Sequence, residues 1–410
     1  MSSKTGEVTS AQFRLAYARR KLRAFLRQIE ELQTSEFPHE DSRTALEQLA
    51  KHFASRLRSA TRAIARDEVA DELLAQVNIS VGRYTDLLGF ILRSTNVRNS
   101  FEAYFPLKRL VQQMIGENAH LITSAEWRFI PFTYPMNIDA LPNFVLVGSP
   151  APETDNVLIL PLAGHEIGHS AWRRHNIEAS VKEQFLSNLK QSIDSDQPRR
   201  DELLKNVFGG SDDVRFLILD CYKNGIKQLE EIFCDYTGLY IFGQSYLYAY
   251  DYFLAPGSGA RSAAYPKGSA RVKFLLQAAD NLGLESDLLL FARWRDASKQ
   301  IGFEADLMEI TDTAVENTIP NLWSLATDLF QMLGLSPNQE LVVERVLRNF
   351  VNGVPDRHGA SLSEIVTAGW RYLRGYCGLP DEDDDRHFEM LNELMLKSIE
   401  VSEYRLRLSQ

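Results

Sequence analysis

The sequence predicts a mainly α-helical protein of the α+β kind, with one small sheet. Three observations point there. Apolar residues recur at helical spacing through most of the 410 residues. Strand-like runs are confined to a short stretch in the first half of the chain. No apolar run is long enough to cross a membrane; the densest, Tyr236 to Leu254, is interrupted by Thr237, Gly238, Gly243, Gln244, Ser245 and Asp251.

Helical periodicity is clear near 11–33, 43–65, 68–94 and 101–116, which predicts an N-terminal helical region over 1–125. Candidate strands follow at Trp127-Arg128-Phe129-Ile130-Pro131-Phe132 and at Asn143-Phe144-Val145-Leu146-Val147, and Asn156-Val157-Leu158-Ile159-Leu160 reads as a short buried strand. Pro161 then suits a first helical turn, where its missing N–H is not needed. The run Arg173, Arg174, His175, Asn176 suits a helix C-terminus, because cations there complement the dipole. One compact helix should lie between them. A helix-like stretch at 179–193 comes next, followed by a polar segment from Asp194 to Asp213 that reads as a surface loop or insertion. The run from Tyr236 to Leu254 is apolar on all sides and predicts one buried core helix. A Gly, Ser and Ala-rich connector, Ala255 to Ala264, lacks the Gly-Lys-Ser/Thr of a phosphate-binding loop. These elements define a core over 126–280. The final region, 281–410, returns to helices and closes with one from 384 to 408. Asp381 to Asp385 lacks the alternation and central glycine of a calcium loop, and its acidic residues suit a helix N-terminus.

The chemistry begins at His165-Glu166-Ile167-Gly168-His169. Histidines at i and i+4 share one helix face and can grip a single ion, while the glutamate reaches a water on that ion. A hydrolytic zinc site needs a third protein ligand and an open position. Glu231, in Glu230-Glu231-Ile232-Phe233-Cys234-Asp235, is one candidate. Asp235 stands at i+4 from it, where it would accept a hydrogen bond from the second nitrogen of a ligand histidine. His175 is the other, at the metzincin spacing. Metzincins need a glycine three residues after the second histidine, whereas this chain has Trp172, and a bulky residue disfavours the left-handed turn required there. A helix continuing to His175 would rotate it about 120° from His169. No methionine lies between Met136 and Met308 to form a Met-turn.

The pentad followed by Glu231-x-x-x-Asp235 resembles the gluzincin peptidases, and Tyr265-Pro266-Lys267-Gly268-Ser269-Ala270-Arg271 is similar to a His-Pro…Arg stretch of HtpX-like peptidases. The resemblance spans roughly 143–275 and implies a zincin-like core with an HExxH active-site helix, flanked here by helical regions. It implies Zn2+ held by His165, His169 and Glu231, with Asp235 behind them, Glu166 as general base, and a peptide bond as substrate. Arg271 and Tyr265 are the candidates for stabilising the oxyanion. The chain departs from its relatives in three ways. Cys234 stands where alanine is usual, Tyr265 stands where those relatives have histidine, and their membrane helices have no counterpart. The aminopeptidase signature Gly-x-Met-Glu-Asn is also absent.

Charge is uneven. Residues 1–66 carry thirteen Lys/Arg against seven Asp/Glu, a net +6 in a chain of net −10. On amphipathic helices this reads first as a solvated face that docks on the acidic remainder; nucleic acid is not the expected partner, because no aromatic-interleaved motif accompanies it. Three widely spaced cysteines give no disulfide framework, and the N-terminus lacks a signal peptide's apolar stretch, so a cytoplasmic location is expected. Two function classes remain. One is a zinc metallopeptidase, an endopeptidase acting on a protein or peptide and controlled by a regulatory partner. The other is a zincin-fold binding or regulatory protein whose metal site is silent or structural. The glutamate beside the first ligand favours the former, since a structural site needs no base.

Overall fold

The computed structural model describes residues 9–97, 100–127, 138–195, 197–206, 214–253, 262–284, 303–376 and 384–409. These are mostly helical and include one two-stranded sheet, the mainly α architecture that the periodicity predicts. The chain divides into two compact units, one of residues 1–100 and 118–154, the other of 101–117 and 155–410. The three consecutive regions expected from the sequence do not coincide with this division.

In the first unit, helix α1 (Ser10–Leu32) packs against both α2 (Glu40–Arg62) and α3 (Asp67–Arg93). Thr9 and Gln12 close a capping box at the start of α1, and its buried residues Ala11, Leu15, Ala18, Leu22, Phe25, Ile29 and Leu32 keep the three-to-four spacing of a single face. Strand β1 (His120–Glu126) pairs in parallel with β2 (Phe144–Pro150), His120 opposite Phe144. The buried Asp41 of α2 holds β1 by accepting from the Leu121 N–H at 2.7 Å and from His120 Nδ1 at 2.7 Å. Strand β1 ends at Glu126, and of the first candidate strand, Trp127–Phe132, residues 128–132 lie outside those described. Part of the basic run is paired within this unit, Arg14 to Asp71 at 2.9 Å. Both strands belong here, whereas every residue of the expected metal site belongs to the second unit.

The second unit takes in α4 (Ser100–Ile115) from Phe101 onward, then α5 (Ala163–Arg174), α6 (Ile177–Ser195), α7 (Gln197–Asn206), α8 (Val214–Phe242), α9 (Gln244–Phe253), α10 (Gly268–Asn281), α11 (Phe303–Met332), α12 (Glu340–Val351), α13 (Leu362–Tyr376) and α14 (Asp384–Leu408). Helix α4 joins this unit because its Arg109 Nη1 donates to Glu403 of α14 at 2.6 Å and its Gln113 Nε2 to the Leu333 carbonyl at 2.9 Å. Helix α8 is central, packing on α5, α6, α10 and α11.

Three expectations are corrected. The run at 156–160 is no strand; Val157–Leu162 forms a buried 3-10 helix. Asn156 caps it by accepting from the Leu158 N–H at 3.0 Å, and distant side chains add to this: Asn392 of α14 accepts from the Val157 N–H at 3.0 Å, and the Trp370 indole of α13 donates to the Leu158 carbonyl at 2.9 Å. Such partners substitute for a neighbouring strand. The segment expected as a loop at 194–213 contains α7, with Leu203 and Leu204 buried; 207–213 lie outside the described residues. The core helix expected from Tyr236 to Leu254 is two helices. Gly243, at φ +57°, ends α8 in the left-handed conformation that glycine adopts without strain, its N–H donating to the Leu239 carbonyl at 2.7 Å.

Candidate metal centre

Helix α5 begins straight from the 3-10 turn and stops where the cationic run suggested. His175 is its C-cap, and Asn176 takes φ 52°, the left-handed conformation that asparagine tolerates best after glycine. His175 Nε2 donates to the Met114 carbonyl at 2.7 Å. Its ring serves to tie α5 to α4, and the metzincin alternative draws no support from its position.

Two glycines set the distance between α5 and α8. A Cβ on Gly164 would lie 2.8 Å from Gly238 Cα, and one on Gly168 would lie 2.8 Å from Cys234 Cα. Both obstacles are backbone atoms, which cannot rotate aside. Gly168→Ala is therefore expected to cost about 1–3 kcal/mol of stability through overpacking and to weaken metal affinity, as read by chemical denaturation and chelator competition. Unchanged values for both would show that the close crossing does not position the site.

The crossing brings His165 and His169 of α5, with ring centroids 5.0 Å apart, against Glu230, Glu231 and Asp235 of α8. Each imidazole uses its Nδ1 on a carboxylate: His165 donates to Asp235 Oδ1 at 2.9 Å, His169 to Glu230 Oε1 at 2.9 Å. That arrangement leaves both Nε2 atoms turned away from those two carboxylates. His165 Nε2 stands 3.4 Å from Glu231 Oε2, and His169 Nε2 stands 3.7 Å from Glu231 Oε1. These are ion-pair distances rather than well-formed hydrogen bonds. His169 Nε2 and Glu231 Oε2 are buried and have no hydrogen-bond partner. Buried polar atoms are ordinarily paired, so these two beside His165 Nε2 mark a place that could hold a cation; the group whose ligand atoms all lie within 4.8 Å of one another is His165, His169 and Cys234. The donor set of two imidazoles and a carboxylate fits zinc.

Asp235 is the anchor behind the seat. Besides His165 it accepts from Tyr246 Oη at 2.8 Å and from Arg271 Nε and Nη2 at 2.8 and 2.7 Å. Burial alone would raise its carboxyl, but Arg271 and His165 hold it well below the usual range. Arg271, a candidate oxyanion donor by sequence, is thus committed to Asp235 through two of its nitrogens. It also stacks on the rings of Tyr250 and Tyr265, at 5.4 and 5.7 Å. Tyr265 sits at the more open edge, 40% exposed. Burial and then the Glu231 carboxylate raise its phenol, which keeps it a proton donor at neutral pH. All seven residues singled out by the sequence come together here.

Glu230 was not anticipated. The signal available was the acidic doublet itself, since adjacent carboxylates on one helix can serve a ligand position and a neighbouring imidazole at once. Tyr246 and Tyr250 were invisible because α9 reaches Asp235 only after the break at Gly243. Cys234 was read as a small substitution; its sulfur lies within 4.8 Å of ligand atoms on His165 and His169. In the metal-free protein, burial and the surrounding carboxylates hold its thiol protonated.

Charge in the metal-free site is distributed unequally. Burial lowers the His165 pKa, but the carboxylates of Asp235 and Glu231 outweigh it and push it up to about 10. Glu231, which burial would raise, is drawn down to about 2 by His165 and Arg271. Burial pushes Glu166 up to about 7 against the opposing pull of the two histidines. A cation must displace the His165 proton. Metal affinity should therefore rise with pH, by about tenfold per unit up to pH 10 for that one proton; a pH-independent affinity measured with a fixed-affinity indicator would contradict this.

Comparison of the chain with protein-family models, with curated proteins and with solved structures finds no match. The functional reading therefore rests on the site.

Proposed function

We propose that this protein is a zinc-dependent metallopeptidase of the gluzincin kind, an endopeptidase whose α5–α8 pair forms a zincin-like catalytic core. The observation that carries the reading is the pair of buried, unpartnered atoms, His169 Nε2 and Glu231 Oε2, converging with His165 Nε2 beside an intact Glu166. His165, His169 and Glu231 would hold the ion, and bound zinc supplies a polarised water of lowered pKa. Asp235 and Glu230 keep the two imidazoles in the tautomer that presents Nε2. Glu166 takes the water's proton on its carboxylate as the scissile carbonyl is attacked, then returns it to the leaving amine. The Tyr265 hydroxyl, beside the Glu231 carboxylate, would donate to the developing oxyanion, a part Arg271 cannot take without releasing Asp235.

The substrate is a protein or peptide, and a regulatory partner that restrains the activity belongs to the proposal. Among the described residues no helix is long and apolar enough to cross a membrane. Cys221 and Cys234 are free and buried, which supports a reducing, cytoplasmic setting. Hydrolysis of a peptide library in proportion to bound zinc, lost on chelation and restored by added zinc, is the expected result. Full zinc occupancy without hydrolysis would favour the second reading, a binding or regulatory protein with a silent metal site. The nearness of Cys234 to both histidines is the observation on that side.

A further inference from the structure

Cys234 lies three residues after Glu231 on α8, so the two share a helix face. Its Sγ and one ligand atom from each of His165 and His169 all lie within 4.8 Å of one another. The residue is fully buried and makes no disulfide. The contact with Gly168 is made by Cys234 Cα and Cβ, which an alanine would supply equally well. What cysteine adds there is one soft donor atom beside two imidazoles.

We propose that Cys234 is a fourth donor to the ion held by His165, His169 and Glu231, exchanging with the water position, so that the resting centre hydrolyses slowly. This rests on the metal-centre reading and specifies its regulation. As the sulfur–metal bond forms, the thiol proton passes to solvent. Four protein donors complete the tetrahedron that zinc prefers, whereas three leave the water position open, so the occupancy of Cys234 decides whether the centre is latent or competent. A thiolate also biases the site toward zinc and against the hard cations magnesium and calcium.

The test is the full-length protein loaded with Co2+ in place of zinc. Thiolate bound to Co2+ gives a near-ultraviolet charge-transfer absorption that nitrogen and oxygen donors do not. One cobalt per chain with that band is expected for the wild type. The band should vanish in Cys234→Ala and in Cys234→Ser while both variants still bind cobalt and keep the wild-type far-ultraviolet circular dichroism. With zinc in the site, Cys234→Ala should hydrolyse the peptide library about tenfold faster or more, because the water position is freed. Cobalt bound by the wild type without the band would overturn the Cys234 assignment and leave the centre of two histidines and Glu231 standing. A band that persists in both variants would also overturn it. No cobalt bound by the wild type would instead overturn the metal centre itself.

Discussion

Glu231→Ala is expected to release zinc from the chain during dialysis that leaves the wild type loaded. Glu231 has no other structural duty of comparable weight. Its Oε2 is buried without a well-formed hydrogen bond, and its approaches are to the two imidazoles, to the Tyr265 phenol and, at 3.8 Å, to Arg271. Arg271 keeps its two bonds to Asp235 in the variant, so the α8–α10 contact survives and circular dichroism should not change. A structural zinc site is worth about 10–16 kcal/mol over four ligands, so one donor carries roughly 2.5–4 kcal/mol, on the order of a hundred- to a thousand-fold in affinity. Competition against a chromophoric chelator measures that factor. Wild-type affinity in the variant would remove Glu231 from the ligand set.

Glu166→Gln should have the opposite pattern: zinc retained, hydrolysis nearly abolished. The amide keeps the shape of the side chain but cannot accept a proton, and positioned proton transfer typically contributes about 10²–10⁴ in rate. The variant should also be more stable in its metal-free form at alkaline pH. The sign follows from the raised carboxyl. Its unfolded value is near 4.5 and its folded value about 7, so the folded state binds the proton more tightly, and stability from this group is lost as pH rises between those values. Glutamine resembles the protonated form at every pH and escapes that loss. Denaturation of the metal-free proteins at about pH 8, above the folded value, would show it. An active Glu166→Gln enzyme would exclude the general-base role, whatever the zinc content. A gain in stability at a functional position, made at the expense of activity, is the usual direction of the trade.

Much of the helical framework could be read from local spacing. The bounds of α1 to α4 and of α14 fall within a few residues of those that periodicity predicts, because a 3.6-residue apolar repeat and the end signals are properties of neighbouring residues. The stop of α5 was legible for the same reason, since Asn176 follows a cationic last turn. The elements that were misread share one cause. Val157–Leu162 is capped locally by Asn156 but is also held by Trp370 and Asn392, more than two hundred residues on, and a short buried apolar run does not by its pattern separate a 3-10 turn from a strand. The break at Gly243 hid inside a run that is buried on both sides of it, where hydrophobic pattern is silent. The allotment of α4 to the second unit depends on Glu403 and Leu333, equally far along the chain.

The sequence by itself determined the donor types and their faces: two imidazoles and a carboxylate on one turn of helix, and Glu231 and Asp235 one turn apart on another. Helical geometry is local, so spacing suffices for that. Only the tertiary structure decided that the two faces meet, that Glu230 rather than an unrelated residue holds His169, that Arg271 serves Asp235, and that a cysteine sulfur stands beside the two imidazoles. These depend on how closely α5 and α8 cross. That distance is set by bare glycine backbones meeting Gly238 and Cys234, a packing relation between residues some seventy apart that no single-chain pattern encodes.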